Sequence, residues 1–309
     1  MIEPLYRDQN FAALIQIAAE ATGCPPELVE KDHWITLVLR SLALSAHTND
    51  IVFKGGTSLS KAWQLTDRFS EDIDILIDIA RYDSRGSKRK KISQIRKVVE
   101  TIPGLVYSAE DSFQGELNAD YVFTYPNQIG NTEIFSGNRL KLEIGFRGGA
   151  NPSSIFTLNS IMGTLAQERK IVAPDFQPFE MRVLDIRRTF VEKLFAIYSA
   201  YDHASIRTKT RHYFDVQKLY ETEHVQSFLK TSEFLQLCED VRINTLHFFQ
   251  GQSVPSIKQI LASPAFTLTE KVRDDLVAGL RDDRLLYYKQ APNIKAIEAV
   301  CAKLTKVMD

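Results

Sequence analysis

Apolar residues recur at helical spacing near the start of the chain (Phe11, Leu14, Ile15, Ala18), stop at Gly23, Pro25 and Pro26, and resume through ELVEKDHWITLVLRSLAL. This pattern predicts two helices before residue 48. DIVFKGG then reads as a short buried strand ending in glycines, TSLSKAWQL as a helix capped by a hydroxyl residue, and EDIDILI as a strand whose apolar positions alternate with polar ones. LVYSAED, ADYVFTY and RLKLEIGF are three more strand-like runs, with a polar loop from Pro126 to Gly137 between the last two, and a meander completing one sheet is the simple inference. PDFQPFEMRV is punctuated by proline and is expected to lead to a domain boundary near residue 180. After it the period is helical in RRTFVEKLFAIYSAY, RHYFDVQKLYE, SEFLQLCEDVRI, TEKVRDDLVAGLRDD and IKAIEAVCAKL. The expected layout is a mixed α/β domain over residues 1–180, N-terminal helices included, and a helical domain over residues 181–309.

Composition changes this picture little. Hydrophobic residues at 44% and charged residues at 25% are those of an ordinary soluble globular protein. The 38 basic and 39 acidic residues nearly cancel, so affinity for nucleic acid must be local. The local candidate is Arg81 to Lys97, where Arg81, Arg85, Lys88, Arg89, Lys90, Lys91, Arg96 and Lys97 stand against one acid, Asp83. Such a run is either a solvated helix face or a contact for a phosphate backbone. Three widely spaced cysteines, without a CxxC pair, fit a reduced compartment. No apolar run approaches the roughly 20 residues of a membrane span, and MIEPLYRDQNF lacks the order of a secretory signal, so a cytoplasmic protein with no membrane partner is expected.

The chemistry sits in the acidic strands. Side chains alternate faces along a strand, so Ile73, Ile75 and Ile77 can line a core while Asp72 and Asp74 project together from the other face. Two carboxylates so placed repel one another unless water screens them or a cation lies between them. Mg²⁺ commonly takes one or two carboxylates and completes its shell with water and substrate phosphate. LKLEIGF repeats the pattern, with Lys141 and Glu143 opposite the apolar face, and Glu143 is the candidate third carboxylate if its strand lies beside that of Asp72. Each acidic strand taken alone also reads as the wet face of a sheet. One helix upstream, Gly55 and Gly56 end a strand and open a helix, where bare N–H groups and missing Cβ atoms let a phosphate approach. Thr57 or Ser58 can cap that helix or donate to a phosphate oxygen.

Glycine turn, helix and D-x-D strand in this order resemble the DNA polymerase β-like nucleotidyltransferase superfamily. FKGGTSLSKAWQLTDRFSEDIDILI more closely resembles the first motif of the AbiEii/AbiGii toxin family, including the MenT-like toxins, with GGT-x-L-x-K and R-x-S-E-D-I-D in sequence. VEKLFAIY, RTKTRHYFDVQKL and EKDHWITLVL resemble further motifs of that family. The resemblance implies a polymerase β-like core with a mixed sheet, preceded by helices and followed by a helical bundle. It implies that Asp72, Asp74 and Glu143 hold Mg²⁺, two ions in all, that Gly55, Gly56, Thr57, Ser58, Lys61, Lys193 and Arg211 meet the nucleoside triphosphate, and that Asp215 joins Asp72, Asp74, Glu143 and Lys193 in catalysis. The C-terminal half would then contribute Lys193 and Asp215 to the site. From the residues alone, Lys193 beside Glu192 is equally an ion pair on a helix surface, and Arg211 and Asp215, four apart, a possible salt bridge.

The activity implied is transfer of a nucleoside monophosphate to RNA, with the tRNA 3′ end as the expected acceptor, by the toxin of a type IV toxin–antitoxin or phage-defence pair with an antitoxin encoded nearby. Two alternatives stay open: a nucleotidyltransferase acting on a small molecule or protein, and a catalytically silent nucleotide-binding module.

Overall fold

A computed structural model describes residues 4–70, 72–78, 84–130, 137–248 and 253–308. Glu71, Arg81, Asp83 and the middle of the Pro126 to Gly137 loop lie outside the described residues. The chain forms two compact units, one of residues 1–64, 68–146 and 153–184 and the other of residues 65–67, 147–152 and 185–309.

The first unit is built on a mixed seven-stranded sheet: β1 (Ile51–Lys54), β2 (Asp72–Ile77), β3 (Val106–Gln114), β4 (Asn118–Thr124), β5 (Arg139–Gly145), β6 (Ser153–Leu158) and β7 (Phe179–Leu184). Their order is β3-β4-β5-β2-β1-β7-β6. The meander β3-β4-β5 is antiparallel, as expected. β5 then pairs parallel with β2, and β1 antiparallel with β2. The final pair is not anticipated from sequence. FEMRVL, which ends at the boundary, is β7, parallel to β1 and antiparallel to β6. Its prolines precede the strand, where a missing N–H costs no ladder bond.

Among the described residues the α-helices that accompany this sheet are α1 (Phe11–Thr22), α2 (Pro26–Ala43), α3 (Gly55–Lys61), α4 (Arg85–Glu100) and α5 (Ile161–Glu168). α2 and α4 touch each other and reach the sheet, while α1 and α5 pack on α2. Ile73, Ile75 and Ile77 of β2 are essentially fully buried, each contributing about 1.5–3 kcal/mol.

α2 departs from simple amphipathicity, because Glu30, Lys31, Asp32 and His33 are all buried. The acids are tied down. Glu30 accepts from the backbone N–H groups of Gln128 (2.8 Å) and Ile129 (3.3 Å). Burial still raises its pKa, those two N–H groups opposing the rise. Asp32 accepts from the Ile161 N–H at 2.7 Å, anchoring α5. His33 packs its ring 5.1 Å from that of Phe11 and, among the described residues, has no hydrogen-bond partner for either nitrogen. Burial, helped by the charge of Lys61, holds its pKa down to about 3.

A pH dependence follows from His33. The folded chain keeps it neutral, whereas the unfolded chain binds a proton with a pKa near ~6.5. The unfolded state therefore holds more protons between these two values, and stability falls as pH drops from about 6.5 toward 3, by up to ~1.4 kcal/mol per pH unit from this group. Urea titrations at pH 7 and pH 5 should show a smaller loss for His33→Phe than for the parent. An equal loss in both would remove His33 from the account.

The second unit is helical: α6 (Ile186–Asp202), α7 (Arg211–Tyr220), α8 (Glu223–Phe228), α9 (Ser232–Phe248), α10 (Ile257–Leu261), α11 (Pro264–Thr267), α12 (Glu270–Asp282) and α13 (Ile294–Leu304). The five periodic runs of the C-terminal half form α6, α7, α9, α12 and α13. Of the short helices between them, α8 opens on a Thr222 side-chain cap and α10 on the Ser256 capping box. Arg188, buried on α6, donates to the Asn151 carbonyl at 2.6 Å and pairs with Asp240 at 2.7 Å, which fastens residues 147–152 to this unit.

Candidate active site

The sheet register assembles the acidic face. In the parallel pairing of β2 with β5, Asp74 lies opposite Glu143 and Asp72 opposite Lys141. On the far side of β5 Asp120 lies opposite Glu143, and on the far side of β2 Lys54 lies opposite Asp74. Residues in register share a face, so Asp120, Glu143, Asp74 and Lys54 form one polar row across four strands. Asp72, Asp74, Glu143 and Asp120 are all half-buried.

The glycine turn meets this row directly. Gly55 has φ +78°, and a Cβ placed on it would lie 1.9 Å from Asp74 Oδ2. Only a residue without a side chain lets the start of α3 approach that carboxylate so closely. Gly56 has a different reason: its Cβ would lie 2.5 Å from Arg68 Nη2. Arg68 is 3% exposed and lies over the turn, donating from Nη1 to the Phe69 carbonyl at 3.3 Å. Sequence patterns assigned Arg68 no part; its signal was the leading arginine of R-x-S-E-D-I-D.

The hydroxyls of the turn are engaged by the protein. Thr57 Oγ1 donates to the Asp72 carbonyl, stitching α3 to β2. Ser58 Oγ donates to the Gly55 carbonyl at 2.8 Å and is fully buried. The expected hydroxyl cap is therefore not formed: α3 starts at Gly55 with Lys54 as its cap residue and no side-chain cap bond. Lys61, placed by motif near the nucleotide, lies in the last turn of α3 with its side chain 5% exposed. Its ammonium is 2.6 Å from Asp32, 2.7 Å from Thr36 Oγ1 and 3.0 Å from the Asn159 carbonyl, so its three donors are used within this unit.

Glu143 is also held. Lys141 Nζ is 2.5 Å from Glu143 and 3.2 Å from Asp120. Burial opposes its charge, but the bonds and charges of Glu143 and Asp120 outweigh that and raise its pKa above the ordinary lysine value. Among the described residues no three His, Cys, Asp or Glu side chains are gathered into a ready metal cage. Two carboxylates on one face, with the glycine turn packed against one of them, nevertheless suit Mg²⁺, whose remaining positions are commonly water and phosphate.

In the second unit, Lys193 of α6 lies 2.6 Å from Asp215 of α7, with side chains 8% and 0% exposed. This is a buried pair and not the surface pair that Glu192 suggested; Glu192 instead lies 3.2 Å from Arg188. Arg211 Nε is 3.7 Å from Asp283, which also accepts from Thr210 Oγ1 at 3.3 Å.

The basic run resolves into parts with different jobs. Lys91 is buried, 2.5 Å from Asp50 and 2.7 Å from His47 Nδ1, and so anchors α4. Arg96 pairs with Glu100 at 2.5 Å and lies over the Tyr107 ring. Arg85, Arg89, Lys90 and Lys97 face solvent.

A strand, glycine turn, short helix and two-acid strand, with a third acidic strand beside it, is the arrangement of a nucleotidyltransferase. The profile described as "Nucleotidyl transferase AbiEii toxin, Type IV TA system" matches residues 37–291, and the chain belongs to that family. The protein is thus a nucleotidyltransferase toxin of the type IV toxin–antitoxin class. Among solved structures the chain is similar to MenT4, a nucleotidyltransferase toxin from Mycobacterium tuberculosis, with 16% identity and a TM-score of 0.41 over 95% of this chain and 98% of that one. No curated protein matches it at a significant level. No helix among the described residues is long and apolar enough to cross a membrane.

Proposed function

We propose that the protein transfers a nucleoside monophosphate from a nucleoside triphosphate to RNA, with the tRNA 3′ end as acceptor. The observation that carries this reading is the shared face of Asp72, Asp74 and Glu143, with the bare Cα of Gly55 against the Asp74 carboxylate. The triphosphate lies along the Gly55–Gly56 backbone. Asp72, Asp74 and Glu143 would hold Mg²⁺, which when bound supplies positive charge for the triphosphate and the leaving pyrophosphate. One carboxylate of this face, Glu143 or an aspartate, accepts the proton of the acceptor hydroxyl as its oxygen attacks the α-phosphorus. The bond from that phosphorus to the β-bridging oxygen breaks, and pyrophosphate leaves. The family resemblance gives Lys193 the phosphate charge and Arg211 a phosphate or acceptor contact.

The RNA handle is the solvent side of α4, with Arg85, Arg89, Lys90 and Lys97. The direct test supplies each labelled nucleoside triphosphate with Mg²⁺ and either total RNA or small acceptors, and identifies what becomes labelled. Label appearing only on small molecules or protein would overturn the RNA assignment. Replacing Arg85, Arg89, Lys90 and Lys97 by glutamine should weaken RNA binding and flatten its dependence on log salt by about 0.7–0.9 for each RNA phosphate that is no longer neutralised. The fold should be unaffected, because Lys91, the buried anchor, is left in place. Unchanged binding across salt would move the RNA surface elsewhere. An antitoxin partner follows from the toxin–antitoxin class and is tested by rescue of growth on coexpression with the adjacent gene.

A further inference from the structure

Lys141 is not among the nucleotide or metal contacts, yet it is the cation nearest the third carboxylate. It stands on the same strand and face as Glu143, two residues away, opposite Asp72 in register. Its ammonium touches two carboxylates at once, Glu143 at 2.5 Å and Asp120 at 3.2 Å. Asp120 is the register partner of Glu143 on β4 and lies farther from the β2 acids than Glu143 does, one strand out. All three side chains are between a third and a half exposed, so the ion pairs can exchange without unpacking a core.

We propose that Lys141 is a positioning residue that acts as the resident counter-cation of Glu143, and that it passes from Glu143 to Asp120 when a divalent cation enters the site. The proposal rests on the reading of Asp72, Asp74 and Glu143 as the metal-holding face. With no divalent ion bound, the ammonium offsets the repulsion among four carboxylates on neighbouring strands. An entering divalent ion and the ammonium then compete for Glu143, and Asp120 supplies the place to which the ammonium retreats. Asp120 thereby keeps Lys141 charged and nearby without leaving it across the Glu143 oxygens. No covalent step is involved; the exchange is between ion pairs.

Mn²⁺ alone, titrated into the full chain and followed by the loss of free-ion signal in electron paramagnetic resonance, tests this without turnover. Lys141→Met should bind Mn²⁺ about thirtyfold tighter, as expected for removing one unit charge about 4 Å from a divalent ion at the dielectric of water. Lys141→Arg, which keeps the charge, should bind as the parent does. Asp120→Asn should bind more weakly, since the ammonium is left with Glu143, and that weakening should disappear when Lys141→Met is also present. Binding by Lys141→Met that is unchanged or weaker overturns the proposal, as does an Asp120→Asn effect of equal size with and without Lys141. Asp74→Asn separates the two readings. If it fails to weaken Mn²⁺ binding, the metal-holding face itself is wrong. If it weakens binding while Lys141→Met does not strengthen it, only the role of Lys141 falls.

Discussion

Asp74→Asn is expected to lower nucleotide transfer by about 10²–10³-fold or more while leaving the melting temperature close to that of the parent. The amide keeps the shape of the side chain, so the half-buried position on β2 and the packing of Ile73 and Ile75 on the opposite face are preserved. What it loses is the charge that would hold a cation beside the triphosphate. Gly55→Ala supplies a second route to the same loss with every carboxylate intact. Its Cβ would fall 1.9 Å from Asp74 Oδ2, and the backbone at φ +78° is one that side chains rarely adopt, so either the aspartate or the turn must move. Pyrophosphate release with a saturating nucleotide is the measurement. Transfer at the parental rate by Asp74→Asn would remove this acid from the mechanism, whatever its neighbours do. Loss by Asp74→Asn but not by Gly55→Ala would keep the acid and discard the turn as phosphate cradle.

The two faces of β2 and β5 were legible in the sequence, because alternation in EDIDILI and LKLEIGF is local and side chains alternate by geometry. What alternation could not supply was register. That Asp74 falls opposite Glu143 depends on a parallel pairing between segments about seventy residues apart in numbering, and Asp120 joins them through the antiparallel pairing of β4 with β5. β6 and β7 escaped for a related reason: β7 finds its place by pairing with β1, far upstream, and its local sequence carries two prolines just before the strand. Charge was legible as a run but not as a distribution. Helical spacing places Lys91 with Ile92, Ile95 and Val99 on the buried side of α4, where it meets Asp50, while its neighbours Arg89 and Lys90 stay in water. Motif similarity likewise located Lys61 without its surroundings. Its position in the motif suggests a phosphate contact, and what the motif could not show is that its ammonium meets Asp32 and the Asn159 carbonyl. In α2 the run Glu30 to His33 looks like a solvated turn of helix, and only tertiary packing on every side explains why all four residues are buried.

Asp215→Ala is expected to destabilise the helical unit by about 3–5 kcal/mol, because it strands the Lys193 ammonium without its partner in a place that water barely reaches. The size comes from an unpaired buried charge and not from the worth of the pair, which is why removing both ends should cost far less. Lys193→Met combined with Asp215→Leu should recover most of the lost stability in thermal or urea unfolding, since two apolar side chains of similar volume can fill the space between α6 and α7. The same double variant separates structure from chemistry. If Lys193 meets the triphosphate, as the family resemblance implies, the refolded double variant stays inactive, and Lys193→Arg with Asp215 intact keeps part of the activity because it keeps the charge. If the double variant regains both stability and transfer, the pair is a buried brace alone, and the charge that meets the triphosphate must be sought at another residue. Melting temperature and pyrophosphate release, measured on the same preparations, decide between these outcomes, because a brace predicts that the two rise and fall together and a nucleotide contact predicts that they part.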